Sequence, residues 1–129
     1  MRDFRKLEIW KKGIELVKEI YLMTRDLPDT EKFGLISQMQ RAAVSIPSNI
    51  AEGSSRNSEI EYKRFLEIAI GSSFELETQI IISTELGFKK PEQTNNTIQE
   101  LNALQKQINS LITLIAKSQQ PIANSQQPT

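Results

Sequence analysis

The sequence predicts an all-α protein, an up-down-up-down four-helix bundle whose second helix is kinked at Pro47. Apolar residues recur every three or four positions along most of the 129 residues, and no segment shows the strict alternation of a strand. Proline and glycine interrupt this pattern at a few places, which leaves four amphipathic segments with short connections. Such segments bury their apolar stripes by packing side by side. We expect residues 1–117 to form this single bundle.

The first helix is predicted from Asp3 to Arg25. It should end before Pro28, because a residue that precedes proline avoids helical dihedral angles. Asp29 or Thr30 can then cap the next helix. The apolar residues with a 3-4-3-4 spacing, which we expect to face the core, are Leu7, Trp10, Ile14, Val17 and Tyr21.

The second helix contains a proline in its interior, where proline costs ~3 kcal/mol because a backbone hydrogen bond is lost. The apolar phase nevertheless runs through Pro47 without slipping: Ile36, Met39, Ala43, Ile46, Ile50 and Gly53. The sequence therefore predicts one helix, kinked at Pro47 and ending near Gly53. Pro47 leaves the carbonyl of Ala43 without its usual donor, and either the Ser73 hydroxyl or a buried water could satisfy it.

The third and fourth helices have recognisable ends. Ser58 and Glu61 form a capping box that opens a helix running to Leu86 and stopping at Gly87. The fourth helix should begin at Pro91, since proline suits a first helical turn. Residues 118–129 repeat Ser-Gln-Gln-Pro and show no apolar period, so we expect a disordered tail. The predicted core residues of the two helices are Tyr62, Phe65, Leu66, Ala69, Ser73, Leu76, Ile80, Ile98, Leu101, Leu104, Ile108, Leu111 or Ile112, and Ile115.

The residue types that the chain lacks restrict its chemistry. It has neither cysteine nor histidine, and its 16 basic residues balance its 16 acidic residues. The usual general base, nucleophile pairs and metal ligands are missing, so we expect no enzyme, no catalytic residues, no metal, no cofactor and no small-molecule substrate. Without an apolar segment of the length of a signal peptide or a membrane span, we expect a cytoplasmic protein that contacts no membrane.

A second stripe on the predicted second helix lies opposite its core stripe. Its members are mostly small or amide-bearing: Gln38, Arg41, Ser45, Ser48 and Glu52. A solvated helix face usually favours longer helix formers such as Lys and Glu. We interpret the stripe as a candidate subunit interface in which Arg41 and Glu52 pair across subunits, and an ordinary solvated face is the alternative.

The third helix carries extra apolar residues beside its core stripe. Ile70, Phe74 and Ile81 lie together on one flank of the helix. An exposed apolar patch of this kind usually marks contact with a partner. The alternative is a wide stripe that a single bundle buries completely. The first interpretation adds these three residues to the candidate subunit interface.

The longest motif of the chain reads QxxRAAVSIPSNIAEG and spans residues 38–53, with Asn49 inside it. Glu31 and Gly34-Leu35 precede the motif, and GSSxEL follows at residues 71–76. Over about residues 4–117 the chain resembles the bacterial four-helix-bundle proteins called 23S ribosomal RNA intervening-sequence proteins. The resemblance adds Asn49 to the candidate interface residues.

The resemblance also implies an assembly and a partner. Proteins of this family are encoded within ribosomal RNA insertions or elsewhere in bacterial genomes, and the resemblance extends to the accessory variability determinant of diversity-generating retroelements. That relative forms a five-membered barrel and associates with nucleic acid and a reverse transcriptase. The resemblance therefore implies a homopentamer that associates with RNA or DNA.

Basic residues gather at one pole of the predicted bundle. The start of helix one, the turn between helices two and three, and the end of helix four share this pole in an antiparallel bundle. The candidate nucleic-acid patch consists of Lys11, Lys12, Arg56, Lys63 and Arg64, and ordinary solvated charges are the alternative. Two functions stay open: a homo-oligomer associated with nucleic acid, and a protein-protein adaptor or scaffold that binds none.

Overall fold

A computed structural model describes residues 2–119, which form four α-helices and two short 3₁₀ turns. The helices are α1 (Glu8–Thr24), α2 (Leu35–Ser54), α3 (Glu59–Glu85) and α4 (Pro91–Ser118). α1 packs on α2, α2 on α3, α3 on α4 and α4 on α1, so consecutive antiparallel helices enclose one core. The predicted all-α four-helix bundle is confirmed. Beyond Gln119, the predicted disordered tail lies outside the described residues.

α1 differs from the predicted first helix in its start and in its buried face. It begins at Glu8, after a 3₁₀ turn at Phe4–Lys6. Its buried residues are Ile9, Gly13, Leu16, Ile20, Met23 and Thr24. The predicted stripe is therefore displaced by one position, or about 100° around the helix, from the fully buried face. Leu7, Trp10 and Val17 still pack against the core as partly buried residues, whereas Tyr21 is exposed. α1 has two apolar stripes with helical spacing, and spacing alone did not indicate which one faces the core.

α2 runs through Pro47 as one continuous helix, as the apolar phase predicts, and the bend at this residue stays a prediction. The proline ring packs against Gly13 of α1. A Cβ atom at Gly13 would lie 3.1 Å from Pro47 Cβ and 3.3 Å from Pro47 Cδ. Because glycine has no side chain, the ring can enter this space and become buried, which offsets part of the lost backbone hydrogen bond.

The hypothesis that Ser73 satisfies the freed carbonyl of Ala43 is wrong. Ser73 Oγ donates to the carbonyl of Ile70 in its own helix, at 2.6 Å. A hydroxyl has one proton to donate, so none is left for Ala43. Bonding back to the preceding turn is a common way in which a helix satisfies a serine. The alternative of a buried water at Ala43 stays a prediction.

The predicted cap of α2 is also wrong. Asp29 and Thr30 belong to a 3₁₀ turn at Asp29–Glu31, and α2 begins only at Leu35. The carboxylate of Glu31 accepts a hydrogen bond from the backbone N–H of Leu35 at 3.2 Å. The acidic side chain therefore satisfies one of the donors that the helix start leaves open.

The predicted ends of α3 and the start of α4 are confirmed. Ser58 Oγ accepts from the backbone N–H of Glu61 at 3.3 Å. Gly87 follows α3 with a φ of 79°, a conformation that glycine adopts at little cost. Pro91 is the first residue of α4. Short-range chemistry determines these ends, which explains why the sequence predicts them.

α2 and α3 approach most closely at Gly53. A Cβ atom at this position would lie 2.7 Å from Phe65 Cβ and 3.3 Å from the backbone oxygen of Tyr62. Both of these atoms belong to the backbone or are anchored directly to it. They cannot move away unless the two helices separate, so glycine sets the distance between α2 and α3 at this point.

α4 is tied to α1 by polar side chains. Thr97 Oγ1 donates to Glu19 Oε1 at 3.0 Å. At the end of α1, Asp26 Oδ2 accepts from Lys89 Nζ at 3.2 Å, and the Lys89 side chain is only 5% exposed. These bonds hold the two helices that close the bundle.

Glu19 also shares a cleft between α1 and α4 with a second carboxyl group, that of Glu100. Lys12, Glu15, Leu16 and Ala103 complete the lining of this cleft, which measures about 360 Å³. Burial, followed by a hydrogen bond shared with Glu100, raises the pKa of the Glu19 carboxyl from 4.5 to about 7. The folded protein therefore favours the protonated form of Glu19.

We predict that Gly53→Ala destabilises the protein by about 2–3 kcal/mol, because the added methyl group forces α2 and α3 apart. The matched control is Gly71→Ala in α3, where an added Cβ would meet nothing within 4 Å. This control should gain ~0.5–1 kcal/mol from its better helix propensity. Urea unfolding at one fixed protein concentration compares the two variants. Equal effects would contradict the close approach.

We predict that Glu19→Gln makes stability less dependent on pH. The folded pKa of about 7 lies above the ordinary value of 4.5, so folding favours the protonated form, and stability falls as pH rises between these values. Glutamine still accepts from Thr97 but carries no charge. The free energy of unfolding of the variant should exceed that of the wild type only slightly at pH 4 and by an amount on the order of 1 kcal/mol at pH 8. The difference is this small because solvent screens the partly open pair. Urea unfolding at both pH values measures it, and an equal advantage at both would contradict the assignment.

Candidate functional site

The apolar flank of α3, formed by Ile70, Phe74 and Ile81, lies on the side of the helix that faces α4. Ile70 is half-buried and packs against the core, whereas Phe74 is 53% and Ile81 43% exposed. The flank borders a shallow groove of about 530 Å³ whose α4 wall is formed by Asn102, Gln105, Lys106 and Asn109. The bundle therefore buries only one of the three residues, and the other two present apolar surface to solvent.

A polar network holds the two walls of this groove together. Glu77 Oε1 of α3 accepts from Asn102 Nδ2 and from Gln105 Nε2 of α4, each at 3.0 Å. Asn102 Nδ2 also donates to Gln105 Oε1 at 3.0 Å. Because these bonds cross from one helix to the other, they fix the positions of α3 and α4 next to the flank.

Two of the candidate interface residues on α2 are engaged within the chain. The hydroxyls of Ser45 and Ser72 are hydrogen-bonded at 2.8 Å. Asn49 Nδ2 donates to the backbone oxygen of Ser45 at 2.8 Å and to its Oγ at 2.9 Å. Ser45 therefore joins α2 to α3, and Asn49 supports Ser45 from within α2. The sequence does not predict Ser72 as the partner, although a small residue there allows this close contact.

The other candidate residues of the α2 stripe are exposed: Arg41, Ser48 and Glu52. Glu52 forms an ion pair with Arg56 of the same chain at 3.6 Å, one turn further along the helix. Its carboxylate is still 55% exposed, so a second contact remains sterically open. The pairing of Arg41 with Glu52 across subunits stays a prediction.

The basic pole is organised by Arg2 and Arg56. Arg2 forms an ion pair with Glu59, lies 4.1 Å over the ring of Tyr62, and donates to the backbone oxygen of Arg56 at 3.3 Å. The guanidinium of Arg56 lies 4.9 Å over the ring of Phe65. These contacts bring the start of the chain to the turn between α2 and α3. They also engage Arg56 within the chain.

The remaining basic candidates lie on two different sides of the bundle. Lys11 and Lys12 are on α1, and Lys63 and Arg64 are on α3. Among residues 2–119, α1 contacts α2 and α4 but not α3, so α1 and α3 occupy opposite corners. The candidate nucleic-acid residues of α1 and α3 therefore lie at opposite corners of the bundle, and their action as one patch stays a prediction.

Ion pairing further separates these basic residues. Lys11 pairs with Glu8 at 3.4 Å. Within the described part of the chain, Lys12, Lys63 and Arg64 have no carboxylate within 4.0 Å. Lys12 and Arg64 are exposed, and Lys63 is half-buried. These three residues are the basic candidates best able to contact a phosphate.

The structure leaves partly open an apolar surface that the sequence assigns to the core, although Trp10 and Val17 pack against the core on one side. Trp10, Ile14 and Val17 are only half-buried, and Tyr21 is 44% exposed. Gly13 was the sequence feature that could have identified the buried face of α1, because a glycine within a helix often marks the face that another helix approaches closely.

Within residues 2–119, no group of three acidic side chains is arranged to hold a metal ion. No helix there combines the length and the apolar character that crossing a membrane requires. The site is therefore described by surface side chains: an apolar flank, a polar stripe and dispersed basic residues.

Comparisons with known proteins identify the family. A structure described as a protein of unknown function from the S23 ribosomal protein family of Bacteroides thetaiotaomicron has a similar fold. Its TM-score is 0.75 at 22% identity, over 81% of this chain and 97% of that chain. No curated protein matches the sequence. The model of the 23S rRNA-intervening sequence protein family matches residues 5–110, and the chain therefore belongs to this family.

Proposed function

We propose that the chain is a non-catalytic bundle that assembles into a ring of identical subunits through the α3 flank. The observation that carries this proposal is the exposure of Phe74 and Ile81 beside a groove. Large apolar side chains on a rigid surface are typical of protein interaction sites. The count of five subunits rests on the resemblance to the retroelement accessory variability determinant.

The expected contribution of the flank to assembly is substantial. Full burial of a large apolar side chain gains ~1.5–3 kcal/mol, and this is an upper value for residues that are already partly covered. About half of Phe74 is covered within its own chain, so roughly half of that gain remains available to it. A contact between the flank and a different face of the next subunit closes into a ring when its rotation allows.

The absence of catalysis in this proposal is supported by the chemistry of the side chains. The chain has no histidine and no cysteine. Glu19, the carboxyl group with a strongly raised pKa, accepts a hydrogen bond from Thr97 and shares another with Glu100. These bonds explain the raised pKa through the packing of α1 on α4, without a reacting substrate.

We predict that Phe74→Glu lowers the assembly state while helix content is retained, because the variant places a charge in an apolar contact. Phe33→Glu is the matched control. Phe33 is 89% exposed and lies in the connection from α1 to α2, away from the flank. Its variant should keep the mass of the wild type. Static light scattering measures mass, and circular dichroism measures helix content.

A wild-type chain that is monomeric at micromolar concentration would contradict the ring. An unchanged mass for Phe74→Glu, with the wild type assembled, would show that the flank is not the interface. In either case the adaptor or scaffold alternative, in which the flank binds a different protein, would be favoured.

Association with nucleic acid is a second candidate function, and three basic residues favour it. Lys12 and Arg64 are exposed and Lys63 is half-buried, and within residues 2–119 none of the three has an intramolecular ion pair. Their position on opposite sides of one chain indicates that binding relies on the assembled ring, which repeats each group. Repetition raises the overall affinity without a stronger single contact.

We predict that any RNA binding is weak, insensitive to sequence and strongly dependent on salt, because each phosphate contact releases counterions. Replacing Lys11, Lys12, Lys63 and Arg64 with Gln should reduce both affinity and the salt slope. The two double variants, one on α1 and one on α3, then show which side contributes. Fluorescence anisotropy with a labelled mixed RNA pool provides the measurement. No binding by the wild type at low salt would favour the adaptor alternative.

A further inference from the structure

The bundle has a second apolar surface, on the side where α1 meets α2. We call it the α1 stripe and define it by its four residues: Trp10, Ile14, Val17 and Tyr21. Three of them are half-buried, and Tyr21 is 44% exposed. Trp10 and Val17 have an inner side that packs against the core, and the Phe4 ring lies 5.3 Å from the Trp10 ring, so Tyr21 is the most exposed member. Val44 of α2, which is 40% exposed, lies one turn before Pro47, the residue that contacts α1 through Gly13. The stripe therefore continues onto α2.

The α1 stripe and the α3 flank lie on different sides of the bundle. The stripe is on the side of α1 next to α2, because it borders Gly13, which meets Pro47. The flank is on the side of α3 next to α4, because Ile70 and Phe74 line the groove with α4 residues. α1 and α3 themselves occupy opposite corners. Each chain thus offers two separate apolar surfaces, and within one chain neither can cover the other.

The charges nearest to these two surfaces on α1 and α3 are of opposite sign, and Lys63, one turn before Glu67, is the exception on α3. Lys11, Lys18 and Arg25 follow the α1 stripe at helical spacing from Ile14 and Tyr21, and all three are exposed. Along the α3 flank, Glu67 lies one turn before Ile70 and Glu85 one turn after Ile81, and both are exposed. This pattern favours contact between the two surfaces over contact of either surface with itself.

Intramolecular pairing leaves most of these border charges available. Lys11 and Lys18 form only exposed ion pairs, at 3.4 and 3.3 Å, of a kind that contributes little. In the described residues, Arg25, Glu67 and Glu85 have no ion pair. The α4 wall of the groove adds one basic residue, Lys106, so the complementary charges belong to the α3 border.

We infer that the α1 stripe is the surface on which the α3 flank of a second copy of this chain packs. The inference rests on the proposed assembly and names the second surface of its subunit interface. Each subunit gives its flank to one neighbour and its stripe to the other, which is the heterologous contact that a ring requires. It also gives a role to the outer side of the α1 stripe, whose inner side packs against the core at Trp10 and Val17.

Mixing two variants tests this inference. Tyr21→Glu damages the stripe but keeps the flank, and Phe74→Glu damages the flank but keeps the stripe. Each variant alone should have the mass of a single chain by light scattering. An equimolar mixture should form a complex of two chains, because one intact flank meets one intact stripe. Leu114→Glu, at a residue of α4 that is 64% exposed and does not line the groove, should keep the wild-type mass.

The possible outcomes separate this inference from the proposed assembly. A wild-type mass for Tyr21→Glu, with a lowered mass for Phe74→Glu, overturns the stripe and leaves the ring intact. Two monomeric variants whose mixture stays monomeric also overturn it, because an intact flank and an intact stripe would then fail to bind each other. Self-association of Tyr21→Glu would instead indicate that the flank meets another flank. A monomeric wild type overturns both proposals. Circular dichroism checks folding, and Tyr21→Ser, which removes the ring without adding a charge, replaces Tyr21→Glu if helix content falls.

Discussion

The contact between Gly13 and the ring of Pro47 is the constraint on which the rest of the bundle depends. It allows α2 to continue as a helix through proline, and it turns one particular face of α1 toward the core. Once that face is buried, the stripe from Trp10 to Tyr21 lies at the edge of the core, with Trp10 and Val17 packed against it and Tyr21 exposed. A contact between two small regions of the chain therefore decides which apolar side chains are available to a partner. Gly53 has the corresponding role on the other side of α2, where it sets the distance to α3.

Features that depend on neighbouring residues could be predicted from the sequence. The cap at Ser58, the stop at Gly87 and the unbroken phase through Pro47 each reflect local chemistry or spacing within one helix. The rotation of α1 could not be predicted, because two stripes about 100° apart have the same spacing and the choice depends on a glycine contact with another helix. The hydrogen bond of Ser73 escaped prediction for a related reason, since its own helix offers a nearer acceptor.

The candidate site could be predicted only in part. The exposure of Phe74 and Ile81 agrees with a flank open to a partner, whereas Ser45 bonds α2 to α3 and Asn49 bonds Ser45 within α2. The basic residues belong to the segments that are predicted to meet at one pole, yet α1 and α3 lie at opposite corners of the bundle. Net charge and position along the chain do not contain this information, because it depends on the order of helices around the core. Membership in the 23S rRNA-intervening sequence protein family agrees with the fold and leaves the assembly to direct measurement.

Chemical cross-linking tests the central claim, that stripe and flank of neighbouring subunits meet, most directly. The chain has no cysteine, so Lys18→Cys and Thr78→Cys introduce single reactive groups at exposed positions midway along the stripe and the flank. With a short bis-maleimide, the double variant should give covalent species at successive multiples of the chain mass, ending at five, and each single variant should give none. Covalent dimers of the Thr78→Cys variant alone, or a double variant that remains a single chain, would contradict the account.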